Sequence, residues 1–120
     1  MIFGRYVYSM KRKGFCRFYK ELYWGDSVKK HSLVKWRLYH GRGQFTIYCI
    51  QRAFGEGDQL DIIHCAFLKQ PYYQENPAYI YGIAGSYAEA LDLIVKITEE
   101  ALAAGYEGEL LKYLDSKVTD

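Results

Sequence analysis

The run from Ser86 to Gly105 carries both of its ends in its own sequence, and it constrains the fold more than any other stretch. Ser86-Tyr87-Ala88-Glu89 has the spacing of a capping box, in which a Ser and a Glu three residues later satisfy N–H groups that a helix start leaves unpaired. Ala90, Leu91, Ile94, Val95, Thr98, Ala101 and Leu102 then recur at helical spacing, and Gly105 follows as a residue suited to the left-handed end of a helix. The spacing predicts a helix over 87–104 with those seven residues turned to the core. Glu89, Asp92, Lys96, Glu99 and Glu100 would form its exposed, acidic stripe. A shorter helix is expected over 109–114, with Leu110, Leu111 and Leu114 facing inward.

An amphipathic helix needs a surface to lie on, and the sequence before it supplies strands. Residues 45–50 are β-branched or aromatic for the most part and follow the turn signal Gly41-Arg42-Gly43. Gly55-Glu56-Gly57-Asp58 is a turn cluster, 60–68 reads as the next strand with Pro71 as its stop, and 79–84 reads as another. Residues 15–24 place Cys16, Phe18, Leu22 and Trp24 on one face, with Lys20 as the exception, and read as a strand. Ile2, Phe3, Tyr6, Val7 and Met10 fit a helix ended by Gly14, but fit a strand as well. For 27–40 a helix capped by Asp26 or Ser27, with Val28, His31, Val34, Leu38 and Tyr39 in one arc, competes with a strand paired to 45–52; the helix is preferred. The expected fold class is α+β, one small antiparallel or mixed sheet of about four strands. It is packed by a C-terminal helix and one or more N-terminal helices, in a single domain over 1–120.

Several of these stretches resemble a known group. Gly43-Gln44-Phe45-Thr46-Ile47-Tyr48, Asp58-Gln59-Leu60-Asp61-Ile62, Leu68-Lys69-Gln70-Pro71-Tyr72-Tyr73, and Gly82-Ile83-Ala84 running into Tyr87-Ala88-Glu89-Ala90-Leu91 look like small α+β proteins of gut Firmicutes, some encoded near mobile genetic elements. That group has no established activity, so the resemblance implies no catalytic residue. It implies an accessory protein of a phage, plasmid or conjugative element, of the kind that binds and blocks something.

Charge divides along the chain. Residues 1–54 hold twelve bases against two acids, a net of +10; residues 55–120 hold four bases against twelve acids, a net of −8. Such asymmetry points to an anionic partner, to pairing of the two halves within one molecule, or to self-association on complementary patches, either head-to-tail or as a two-fold homodimer. In the first part Lys11, Arg12, Lys13, Arg17, Lys20, Lys29, Lys30, Lys35, Arg37 and Arg42 are interleaved with Phe18, Tyr19, Tyr23, Trp24, Trp36 and Tyr39. Bases of this kind neutralise phosphates, and aromatics among them can stack nucleobases. The thirteen Tyr residues suit half-buried faces and interfaces, and Tyr72 and Tyr73, in a loop between the two prolines, are further candidate contacts.

Catalytic signals are weaker. Cys16, Cys49 and Cys65 are odd in number and widely spaced, which argues against a disulfide framework and for a reducing compartment. No C-x2-C pair suggests a zinc site, and adjacent His64 and Cys65 would point to opposite faces of a strand. The Gly-rich turns lack the phosphate-loop and dinucleotide patterns, so no cofactor is expected. No N-terminal segment reads as a signal peptide and no run reaches the roughly 20 apolar residues of a membrane span, so a soluble cytoplasmic protein is expected. The reading is a non-catalytic binding protein that docks on a protein or ribonucleoprotein partner through its basic-aromatic part. Direct sequence-tolerant DNA or RNA binding is the alternative, and a small Cys–His hydrolase a third.

Overall fold

A computed structural model describes residues 14–42, 46–54 and 59–118. The chain runs β1 (Cys16–Trp24), α1 (His31–Tyr39), β2 (Tyr48–Arg52), β3 (Leu60–His64), a 3-10 turn (Cys65–Lys69), α2 (Pro71–Glu75), β4 (Ala78–Ala84), α3 (Tyr87–Ala103) and α4 (Leu110–Val118). The fold is α+β, with one open mixed sheet of order β1-β4-β2-β3 packed against helices. β1 is parallel to β4, and β2 is antiparallel to both β3 and β4. Helices cover both faces of the sheet, which explains why central β4 is buried along nearly its whole length. Val34 and Leu38 of α1, Leu68, and Tyr73 of α2 pack with Cys16, Ile80 and Ile83 on one face. Ala90, Leu93 and Ile97 of α3 and Leu114 of α4 pack with Tyr19, Tyr23, Ile50 and Tyr81 on the other.

Two irregularities in the sheet account for the broken sequence alternation. Phe18 pairs with Ile80, yet Tyr23 pairs with Gly82, so β1 carries extra residues between those positions. Cys16 and Phe18 face the α1 side, Tyr19 and Tyr23 face the α3 side, and Trp24 returns to the α1 side. Lys20, the apparent exception to the alternation, falls within the bulge. β4 slips by one residue against β2 at Tyr81. Gly82 sits at this crowded point, where an added Cβ would lie 3.0 Å from Ile50 Cδ1 and 3.3 Å from the Tyr23 carbonyl oxygen.

Three boundaries differ from expectation. The segment 60–68 is a strand only to His64; there the His64 side chain accepts the N–H of Ala66 and starts the 3-10 turn. Pro71 starts α2, a first-turn position where its missing N–H costs nothing. α1 begins at His31 after Lys30 in the left-handed region at φ 54°, with no side-chain cap. Neither expected cap, Asp26 or Ser27, serves it: Ser27 is engaged by Glu89, and the alternative strand over 27–40 does not form. The expected element over 2–10 lies outside the described residues.

α3 begins where the sequence places it, with Ser86 Oγ accepting the Glu89 N–H at 3.1 Å. The Glu89 carboxylate, however, does not close the box on Ser86. It accepts the N–H of Gly85 at 2.6 Å, the N–H of Ser27 at 3.0 Å and the hydroxyl of Ser27 at 2.7 Å. This clasp ties the loop after β1 to the loop after β4, and hydrogen bonds led by that from Gly85 hold the Glu89 carboxyl below its ordinary value. A depressed carboxylate contributes stability that is present above its unfolded pKa, about 4.3, and is lost as pH falls through the folded value. Glu89→Gln is expected to lose about 1 kcal/mol at neutral pH. In chemical denaturation the gap between wild type and variant should close as the pH falls below 4.

The buried face of α3 is also displaced from the expected one. Ala90, Leu93, Ile97 and Ala101 are buried, whereas Leu91, Val95 and Leu102 are 44%, 54% and 57% exposed. Both sets have helical spacing, because this helix is apolar over more than half its circumference. Periodicity alone does not choose between them.

Candidate functional site

The bulge in β1 builds a groove across the open edge of the sheet. Among the described residues β1 has a neighbouring strand on one side only, and its extra residues re-aim side chains. Lys20 comes from the bulge itself, Lys35 and His31 from α1, Lys96 from α3 and Lys117 from α4. Together with Trp24, Tyr23, Glu21 and Glu100 they line a polar groove of about 620 Å³. A second groove, of about 770 Å³, adjoins it through Trp24, His31 and Ser32, and adds Lys29 and Lys30. Helices of both layers thus contribute cations to one edge.

Aromatic rings floor this surface. His31 lies flat on Trp24, with centroids 3.7 Å apart and planes at 2°, and its Nε2 is 3.0 Å from the Val28 carbonyl. One turn along, Trp36 is 48% exposed and stacks on His40 at 4.2 Å, with the Arg42 guanidinium 5.7 Å from its ring centre. The Lys35 ammonium lies 5.2 Å from the Phe18 ring centre, fixing the stem of this groove lysine.

The inner wall is a connected polar cluster. The Tyr23 hydroxyl donates to Glu100 Oε1, the Tyr113 hydroxyl donates to the same oxygen at 3.1 Å, and Lys117 Nζ donates to the Tyr23 oxygen at 2.9 Å. Lys117 is also 3.7 Å from both Glu21 and Glu100. Burial works against ionisation of Glu100, but the two tyrosine hydroxyls and Lys117 outweigh it and lower its pKa. Tyr23 is shifted upward, by burial first and then by its bond to Glu100, so it remains a neutral donor. Lys96 and Lys117 approach its ring face at 5.9 and 4.8 Å.

Of the residues singled out from the sequence, Lys20, Lys29, Lys30 and Lys35 meet in the two grooves, and Arg42 joins through Trp36. Arg37 is half-buried in the last turn of α1. Arg17 is exposed on β1, its guanidinium 5.5 Å over Tyr79. Lys11, Arg12 and Lys13 lie outside the described residues. Tyr72 and Tyr73 line neither groove: Tyr72 is exposed and meets the Phe54 ring edge-on at 5.5 Å, while Tyr73 is buried with its hydroxyl 3.5 Å from Gln51 Nε2. Lys96 and Lys117 were missed because they come from the acidic part of the chain, where a lone lysine reads as a solvated charge.

The basic and acidic parts lie mostly apart. α1 packs on one face of the sheet and α3 on the other. Among the described residues Arg17, Lys20, Lys29, Lys30, Lys35, Arg37 and Arg42 form no ion pair; the pairs that link the two parts are Arg52–Asp115 and Glu21–Lys117.

The three thiols sit in the core on the α1 side, each no more than 2% exposed. Burial pushes Cys16 up to about 12, and raises Cys49 and Cys65 too. A thiol so placed is a poor nucleophile, because the thiolate is the reactive form. Among the described residues no group of three or more His, Cys, Asp or Glu side chains could hold a metal ion, and no helix is long and apolar enough to cross a membrane. In comparison with known proteins, no family model, no curated protein and no solved structure matches the chain.

Proposed function

We propose that this chain is a non-catalytic binding protein that docks on an anionic face of a protein or ribonucleoprotein partner through the groove at the edge of β1. The observation that carries this reading is the convergence of Lys20, Lys35, Lys96 and Lys117 from four elements beside the Trp24–His31 stack. Cations gathered this way from separate elements form a site, whereas a run of bases along one helix would be an ordinary solvated face. Burial of all three thiols favours binding over a Cys–His hydrolase. The resemblance to proteins encoded near mobile elements supports a cytoplasmic accessory or inhibitory role.

A specific observation favours direct DNA or RNA binding as a second reading. Trp36 is exposed beside Arg42 and His40, an arrangement that can stack a base and hold the adjoining phosphate.

The test is recovery of one stoichiometric partner on the full chain, released by salt and lost in Lys20→Glu/Lys35→Glu. Retention of single-stranded oligonucleotides alone would favour the second reading. A partner retained equally by wild type and the charge-reversed variant would place the contact elsewhere on the molecule.

A further inference from the structure

α3 carries an apolar seam on its outer side. Ala88, Leu91, Val95, Thr98 and Leu102 follow a three–four spacing that keeps them in one narrow stripe, as in the seam of a coiled coil. Leu91, Val95 and Leu102 are 44–57% exposed. From Ala88 to Leu102 the stripe runs roughly 21 Å along the helix. Asp92 and Glu99 flank it on one side, and neither forms an ion pair with a described base.

α1 carries the opposite arrangement. Leu33 and Trp36, 39% and 48% exposed, lie on its outer face with His40. The Arg42 guanidinium lies 5.7 Å from the Trp36 ring centre, Lys29 and Lys30 line a groove with Leu33 and Asp26, and Arg37 follows Trp36 in the last turn. The α3 stripe is flanked by acids and the α1 patch mainly by bases, with the acid Asp26 also beside it, so the two surfaces carry opposite net charge.

We propose that a second copy of this chain covers each surface, the acidic α3 seam of one copy seating on the basic α1 face of the next. Identical seams pairing with each other are disfavoured: two α3 helices packed antiparallel bring the acids at Asp92 and Glu99 together, a like-charge contact that opposes association. Opposite rims attract, and the apolar stripes supply the burial that rim charges alone do not. α1 and α3 lie on opposite faces of the sheet, so one pair of copies cannot satisfy both surfaces at once. The contact is head-to-tail and continues past a dimer, as a closed ring or an open chain according to the rotation between copies. This inference goes beyond the anionic-partner reading and does not rest on it, although a partner on the α1 face would compete with the next copy.

The test is analytical ultracentrifugation of the full chain with two surface variants, Val95→Asp and Trp36→Asp. Wild type is expected to gain mass with concentration beyond a dimer. Each variant alone should associate at least about tenfold more weakly, since each loses one of the two complementary surfaces. An equimolar mixture should form a dimer and stop there, because one variant retains the α3 seam and the other retains the α1 face. Leu102→Asp and Leu33→Asp repeat the design if either first variant fails to fold. A wild type that is monomeric throughout, variants that still self-associate like wild type, or a mixture that forms no dimer would each overturn the proposal.

Discussion

Lys20→Glu/Lys35→Glu is expected to bind an anionic probe, single-stranded RNA or poly-glutamate, about a hundredfold more weakly than wild type. A hydrogen bond to a charged group contributes about 1.5 kcal/mol or somewhat more where water is partly excluded, and 1.4 kcal/mol is tenfold in affinity. Two such contacts account for the hundredfold, and two added carboxylates repel the probe further. The fold should tolerate the change. Lys20 is exposed in the bulge, and Lys35 makes one cation–π contact with Phe18, worth about 0.5–1 kcal/mol. The salt dependence of the residual RNA binding should flatten by roughly 1.5 in log–log slope, as two fewer phosphates are neutralised. Equal affinity with an equal slope would mean that the lysines do not touch the probe.

Leu38→Ala is expected to destabilise the chain by about 3 kcal/mol, within the usual range for emptying a buried leucine site. Leu38 is 1% exposed, and it and Val34 are the two buried side chains of α1. Leu38 belongs to the same buried cluster as Cys16 and Ile80, which the pairing of β1 with β4 holds in place. The loss should appear as a lower denaturant midpoint and a fall of about 10 °C in melting temperature. Leu38→Met, nearly equal in volume, should cost less than about 1.5 kcal/mol. Because α1 carries His31, Lys35 and Trp36, local release of this helix should weaken anion binding before global unfolding does. A variant as stable as wild type would mean that α1 is not anchored through this residue.

Sequence pattern made the elements legible where a local rule acts alone. Ser86, Gly105 and the spacing between them define α3 to within a residue, because capping and helical period are properties of the segment itself. The strand character of β1, β2 and β4 was likewise readable from side-chain type. Facing was not. β1 and β4 each slip in register, so their alternation changes sides partway, and that slip is set by the partner strand. α3 offered two apolar faces at the same period, and the sheet selected Leu93 and Ile97 over Leu91 and Val95. The candidate site was legible in part for the same reason. Lys20, Lys29, Lys30 and Lys35 stood out as members of a basic, aromatic stretch. Lys96 and Lys117 are isolated among acids and enter the groove only because α3 and α4 reach the edge of β1.

The edge of β1 and the outer face of α1 together make up the proposed working surface. The chain's two tryptophans, Trp24 and Trp36, both belong to it, so intrinsic fluorescence reports on this surface without a label. The full chain should be titrated at low salt with single-stranded RNA and, separately, with poly-glutamate. A saturable change in tryptophan emission is expected with at least one of them, reversed by salt and absent in Lys20→Glu/Lys35→Glu. Emission unchanged by either probe at low salt, or changed equally in the charge-reversed variant, would contradict this assignment of the surface.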